Sequence, residues 1–214
     1  MQVSIKAGQP DHASERIAEL IWSTDPVLMN FMFGDISAFR RATAREWPSD
    51  AGLICYKQAF VAEANDEIVG LCIGHTTEEY GPNFEAAQRI QSAALRAAEG
   101  WHIREALDWM DRLFPAPRDE SFYILELAVS ENAQGLGLGR KLLGKAVERA
   151  RQLQCKRLAL DVAADNPAVD FYLQLGLEVE IETRVPCLAD GFGIGAHLHM
   201  SAPLGKLATS LKDI

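Results

Sequence analysis

No apolar run among the 214 residues approaches the roughly 18 that a membrane-spanning helix needs. The opening Met1-Gln2-Val3-Ser4-Ile5-Lys6 lacks a basic stretch leading into an apolar one, so no secretory signal is read there. Cysteine is scarce. Cys55, Cys72, Cys155 and Cys187 are scattered and none forms Cys-x-x-Cys, which argues against a zinc site or a disulfide framework. Reduced thiols in a cytoplasmic protein are the simpler expectation. Positive charge is short as well: 21 Lys and Arg stand against 30 Asp and Glu, a net charge of −9. A nucleic-acid partner would need a basic surface, and is not expected. There is no repeat, no low-complexity tract and no linker, so residues 1–214 read as one domain.

What is present is ordinary globular composition, 48% hydrophobic and 24% charged. Residues 3–7 read as a strand, followed by a helix with Ile17, Leu20 and Ile21 on one face. Asp25-Pro26 breaks the pattern, 27–33 is apolar, and a second helix is predicted over 37–47. Two β-like segments, 59–64 and 67–75, meet at the turn pair Asn65-Asp66 and read as a hairpin. Residues 76–120 look helical, with candidates at 85–98 and 103–113 parted by Gly100 and closed by Pro115 and Pro117.

A strongly apolar strand follows at 121–129. Next comes an amphipathic helix over 137–153, with Leu138, Leu142, Ala146, Ala150 and Leu153 on its apolar face. A strand at 157–163, a short helix at 167–175 ending at Gly176, and strands at 178–185 and 196–202 complete the chain. This order predicts an α/β sheet with a parallel pair in its middle.

The turn Gln134-Gly135-Leu136-Gly137-Leu138-Gly139 sits between that apolar strand and that helix. Glycines let successive backbone N–H groups point inward together, and a helix N-terminus adds partial positive charge, so the turn is suited to an anion. Arg140 and Lys141 follow at once, in a stretch to Arg157 that also carries Lys145, Arg149, Arg151 and Lys156 against one acid, Glu148. These could attract a phosphorylated ligand or simply solvate a helix face. The dinucleotide spacing Gly-x-Gly-x-x-Gly fails, because Leu142 or Arg140 falls where the third glycine should be. Gly139 to Lys145 imitates a nucleoside-triphosphate loop, but Ala146 follows where a hydroxyl is needed, and the run lies inside the helical pattern.

The strand Leu125-Glu126-Leu127-Ala128-Val129, the turn Gln134 to Gly139 and the helix start Arg140-Lys141-Leu142-Leu143 together resemble the central motif of the GNAT N-acetyltransferase superfamily. A second segment, Asn166-Pro167-Ala168-Val169-Asp170-Phe171-Tyr172 and then Gly176-Leu177, is similar to the family's Asn-x-x-Ala…Phe-Tyr-x-x-x-Gly-Phe, with Leu177 in place of the final Phe. The close match covers residues 121 to 180 and the first 75 fit only loosely.

The resemblance implies a splayed mixed sheet of about seven strands flanked by helices, an α/β fold with 76–120 as a helical insertion before the central strand. It implies acetyl-coenzyme A as donor substrate and an amine as acceptor; no metal is expected from the residues. Backbone groups of Leu127, Ala128 and Val129 would pair with the pantetheine amides as an added strand. Gln134, Gly135, Leu136, Gly137, Leu138 and Gly139, with Arg140 and Lys141, would take the pyrophosphate. Asn166 and Tyr172 would lie along the cofactor beyond the second strand. Homodimerisation is left open.

Acetyl transfer to an amine needs a neutral amine, a stabilised oxyanion and a proton for the leaving thiolate. Tyr172 stands where the resemblance implies a proton-donating tyrosine, and a phenol with pKa about 10 is protonated at neutral pH. It could equally be a core aromatic, with Phe171 turned about 100° away on the same helix. Glu126 is the lone carboxylate of its strand, so it either faces water or is held as a base. Asp161 sits similarly in the next strand. His75 and His102 could reach a substrate or serve as surface or capping residues. His197 and His199 share a strand face without a third metal ligand nearby, which favours packing. The segment 191–195 reads as a flexible loop beside the substrate entrance. The insertion carries nine acids and five bases, which leans toward a cationic acceptor, and Tyr80, Phe84, Trp101, Trp109 and Met110 offer wall material. A noncatalytic acyl-coenzyme A sensor is the competing reading.

Overall fold

In the computed structural model, which describes residues 3–211, strand β1 (Val3–Ala7) pairs antiparallel with β2 (Ala59–Ala64). Asn65 and Asp66 both take left-handed backbone angles, φ 51° and 64°, and turn β2 back into β3 (Glu67–Thr76). Two such residues make a type I′ turn, whose twist matches that of the strands it joins. Next in the sheet lie β4 (Ser121–Val129) and β5 (Arg157–Ala163), with β6 (Glu178–Thr183) at the far edge. β7 (His197–Pro203) is inserted between β5 and β6, which gives the order β1-β2-β3-β4-β5-β7-β6. Every pairing is antiparallel except β4 with β5, the expected parallel pair in the middle.

Helices cover both faces. α1 (Ser14–Trp22), α2 (Pro26–Phe33) and α3 (Ile36–Glu46) precede β2. α4 (Thr77–Ser92) and α5 (Ala97–Leu113) separate β3 from β4. α6 (Leu138–Gln152) follows β4 and α7 (Ala168–Leu175) follows β5. α8 (Pro186–Phe192) connects β6 to β7, and α9 (Leu204–Leu211) closes the chain. On one face α6 buries Leu138, Leu142, Leu143, Ala146 and Ala150 against Cys72, Phe122, Ile124, Leu158 and Met200. Full burial of one such leucine is worth about 1.5–3 kcal/mol over leaving it in water. On the other face Ile17, Leu20 and Ile21 of α1 pack on Val61, Leu71 and Ile73. A third core joins α2, α5 and α8 through Phe31, Ala106, Met110, Leu113 and Leu188.

Several boundaries differ from expectation. Asp25-Pro26 starts a helix: Asp25 accepts the Leu28 N–H at 2.9 Å and Pro26 fills the first helical position, so 26–33 is helical. In the insertion, Thr76 and Glu79 form a reciprocal capping box that starts α4 well before residue 85. The break then falls at 93–96, and Gly100 lies inside α5. Leu153 caps α6 but is 44% exposed, off the buried face. The expected loop at 191–195 begins as the end of α8, which Gly193 stops with φ 73°. α9 has no counterpart in the sequence reading.

Candidate active site

β4 and β5 pair only from Ser121 to Ile124 against Arg157 to Leu160. Beyond that point β5 stays with β7 along its whole length, and among the described residues no strand lies on the β5 side of Leu125 to Val129. A backbone edge therefore opens inside the sheet, where an extended ligand could add as a strand. The Gly-rich turn lies at the end of this cleft. Gly135 and Gly137 hold φ 75° and 71°, which side chains rarely tolerate, while nothing crowds the place of a Cβ at either. Conformation rather than space demands glycine there. Gly137 is the N-cap of α6 and offers no side chain, so the Leu138 and Gly139 amides have no intrahelical acceptor. Gln134 donates to the Val129 carbonyl at 3.2 Å and ties the turn to β4. Leu136 is exposed, Leu138 is core, and Lys141 is exposed at the helix start.

A register shift in the β3–β4 ladder falls here. Ile73 faces Glu126 and Gly74 faces Ile124, so Leu125 is an extra residue, a β-bulge. Its effect is to turn Glu126 as well as Leu125 away from the α6 face. Leu125 packs into the α1 core, and Glu126 Oε2 meets the Thr24 hydroxyl at 3.1 Å. Burial pushes the Glu126 pKa up to about 8; the Thr24 contact pulls the other way and the Asp25 charge adds to the rise. The Asn166 amide reaches the Thr24 carbonyl at 3.4 Å, and its carbonyl oxygen accepts from the Ala168 N–H at 2.8 Å at the start of α7. Asp25 pairs with His197 Nε2 at 3.5 Å. Thr24 and Asp25 thus bridge α1, β4, α7 and β7. Sequence reading saw only a break at Asp25 and nothing at Thr24.

Tyr172 lies on α7 in the α6-side core and is 7% exposed. Burial, with Cys72 and Glu126 close by, raises its pKa above the ordinary phenol value. Phe171 is partly buried against the same core, its ring 3.7 Å from where a Cβ on Gly139 would sit. Both aromatics pack, so the choice between core and site is not made by burial.

The Acetyltransferase (GNAT) family model matches residues 17–177. The chain belongs to the GNAT acetyltransferase family. No curated protein matches it. Among solved structures it is similar to an N-acetyltransferase from Staphylococcus aureus Mu50, at 17% identity and TM-score 0.65, covering 93% of this chain and 100% of that one. The ribosomal-protein-S18-alanine N-acetyltransferase from Escherichia coli aligns at 14% identity and TM-score 0.52, over 95% and 94%. A NatC complex bound to Gag peptide and CoA aligns at 13% identity and TM-score 0.52, over 95% and 99%. Identities this low carry the fold alone.

The other candidates of this GNAT chain have structural partners. His75 is fully buried, its Nε2 on the Leu53 carbonyl at 2.8 Å and its Nδ1 facing the Asn83 amide at 3.2 Å. Burial lowers its pKa to about 4, so the ring is neutral and committed to holding a loop. His102 binds the Phe31 carbonyl at 2.5 Å and fastens α5 to α2. Asp161 accepts from the Tyr123 hydroxyl at 2.8 Å and pairs with His199 Nδ1 at 3.0 Å, with both side chains of the pair almost wholly buried. Most of the basic run is likewise occupied: Arg149 binds Lys57 O and Gln58, Arg151 binds Leu204 O, Lys145 pairs with Glu148, and Arg157 with Glu180. Among the described residues no group of His, Cys, Asp and Glu is placed to hold a metal, and no helix is long and apolar enough to cross a membrane. A pocket of about 260 Å³ is lined by Pro26, Val27, Asn30 and Phe31 of α2 and by Phe192 of α8, and by none of residues 76–120.

Proposed function

We propose that the chain transfers the acetyl group of acetyl-coenzyme A to a primary amine of a small molecule or peptide, by direct attack. The observation that carries this reading is Glu126: a bulge turns a carboxyl out of an apolar strand at the mouth of the β4–β5 cleft, away from the face where α6 packs. A carboxyl with pKa near 8 is matched to taking a proton from an ammonium at working pH. The uncapped α6 N-terminus and the left-handed Gly135 and Gly137 suit the pyrophosphate, and the open edge of Leu127, Ala128 and Val129 suits the pantetheine amides. Asn166 stands at the start of α7 along the same line, and the Tyr172 hydroxyl, on the same helix, is the candidate to protonate the leaving thiolate. The acceptor's remaining groups lie against α2 and α8, with α5 of the insertion behind them through Met110 and Leu113.

Thiol release from acetyl-coenzyme A over a panel of amines tests the reaction. Glu126→Gln should keep coenzyme A affinity and depress turnover, with the parent's loss of rate below about pH 8 absent from the variant. Coenzyme A binding without turnover of any amine would favour a noncatalytic sensor, and an unchanged pH–rate profile would remove Glu126 from the mechanism.

A further inference from the structure

Thr24 has one hydroxyl proton and two oxygens to give it to. Its Oγ1 lies 2.7 Å from the Ile21 carbonyl and 3.1 Å from Glu126 Oε2. The first distance is that of a full O–H···O hydrogen bond, and a carbonyl oxygen can only accept. With the proton there, the contact to Glu126 is a hydrogen bond only if Glu126 supplies a proton of its own, as the neutral acid. Once Glu126 is ionised it can only accept, and the Thr24 proton must turn toward it. That turn strands nothing, because the Thr24 backbone N–H also donates to the Ile21 carbonyl, at 3.1 Å.

We propose that Thr24 is a positioning residue for Glu126, its hydroxyl turning to Ile21 when Glu126 is a neutral acid and to Glu126 when it is a carboxylate. Resting on Glu126 as base, this gives the cleft a partner for both protonation states of the same group. When the carboxylate takes the acceptor's proton, the N–H bond breaks, the O–H bond on Glu126 forms, and the Thr24 hydroxyl returns to Ile21. No second proton donor or acceptor is needed. Because the Thr24 carbonyl receives the Asn166 amide, the same residue fixes the distance between the base and the start of α7. Asn166 is tied to the backbone of Thr24, so side-chain changes at Thr24 leave that link in place.

The titration of Glu126 is set by what faces it from each packed element. Asp25 follows Thr24 in the chain, and its charge is shared with His197 of β7. Cys72 comes from β3, Tyr172 from α7 and Tyr123 from β4 itself. Neither a thiol nor a phenol carries a positive charge. Among the described residues, the Thr24 hydroxyl is the hydrogen-bond donor to the carboxylate. A hydrogen bond to the charged form is the stronger one, so its loss should favour the neutral acid.

The test is a carbon-13 NMR titration of glutamate-labelled protein without ligands, with Glu126→Gln identifying the Glu126 carboxyl signal. Thr24→Val and Thr24→Ala should each raise the midpoint by about half to one pH unit, the difference between a charged and a neutral hydrogen bond. Thr24→Ser should restore the parent value, because it keeps the hydroxyl. The alanine variant serves if valine disturbs packing, and coenzyme A affinity should be unchanged in all three. Midpoints of the valine and alanine variants equal to the parent's, or a serine variant shifted as far as valine, would overturn the proposal. A Glu126→Gln enzyme with the parent's pH–rate profile would overturn it too, through the base reading, and the titration separates that failure from the first.

Discussion

At the scale of single residues, the site separates into groups that chemistry can use and groups already committed to the fold. Tyr172 is the sharpest case, because its ring packs in the core while its hydroxyl is the candidate acid. Tyr172→Phe keeps the ring and removes only the hydroxyl, so coenzyme A affinity and melting temperature should hold. General acid catalysis is typically worth about 10²–10⁴-fold, but a thiolate is a tolerable leaving group and water can protonate part of it, so turnover should fall by roughly 10- to 100-fold. Steady-state turnover with a proven acceptor measures this, and a loss under about twofold would return Tyr172 to packing alone. Glu126 was legible in the sequence, because one carboxylate in nine residues of apolar strand needs a reason. Thr24 was not: its partners are Glu126 and Asn166, 102 and 142 positions away, and only folding brings them together. His75, at the end of β3, shows the opposite case. A histidine at a strand end looks available until both ring nitrogens are found bonded in the core.

At the scale of elements, local chemistry decided what could be read. Asn65-Asp66 announced its turn, and the alternation of glycine with leucine announced the α6 entry. The bulge at Leu125 left no local mark, since it exists only in the register of β4 against β3. Gly100 does not break the insertion: the Thr76–Glu79 capping box starts α4 early, and the break falls at 93–96. The α6 entry makes two demands that substitutions can separate. Gly137→Ala adds only the strain of a side chain at φ 71°, a cost of roughly 1–2 kcal/mol, and nothing crowds its Cβ. It should lower the melting temperature slightly and still bind coenzyme A. Gly137→Glu adds the same strain and also a negative charge at the N-terminus of α6, where the pyrophosphate would sit. It should abolish the thermal stabilisation that coenzyme A gives the parent. Isothermal titration of both folded variants is the check, and a glutamate variant binding as well as the alanine variant would move the pyrophosphate elsewhere.

At the scale of the whole molecule, two titrating groups, His75 on β3 and Glu126 on β4, move stability with pH in opposing senses. His75 holds a pKa near 4 against an ordinary 6.5. Between those values the unfolded chain binds the proton and the folded one does not, so stability falls as pH drops from 6.5 through about 4. Glu126 holds a pKa near 8 against an ordinary 4.5. Between those values the folded chain keeps the proton and the unfolded one has lost it, so stability falls as pH rises from 4.5 through about 8. In the overlap, from 4.5 to 6.5, the two slopes oppose each other; above 6.5, of these two, only the Glu126 loss remains. The carboxyl keeps some contact with solvent, which reduces its share without changing its sign. The decisive quantity is the stability of Glu126→Gln minus that of the parent, measured by urea denaturation from pH 4 to 9. It should climb steadily from about pH 4.5 and level off above about 8, because the variant has no proton to lose. A difference that stays flat across this range would mean that Glu126 titrates alike in the folded and unfolded chains. A carboxyl of that kind would be ionised throughout the neutral range and could not be the tuned base that the cleft requires.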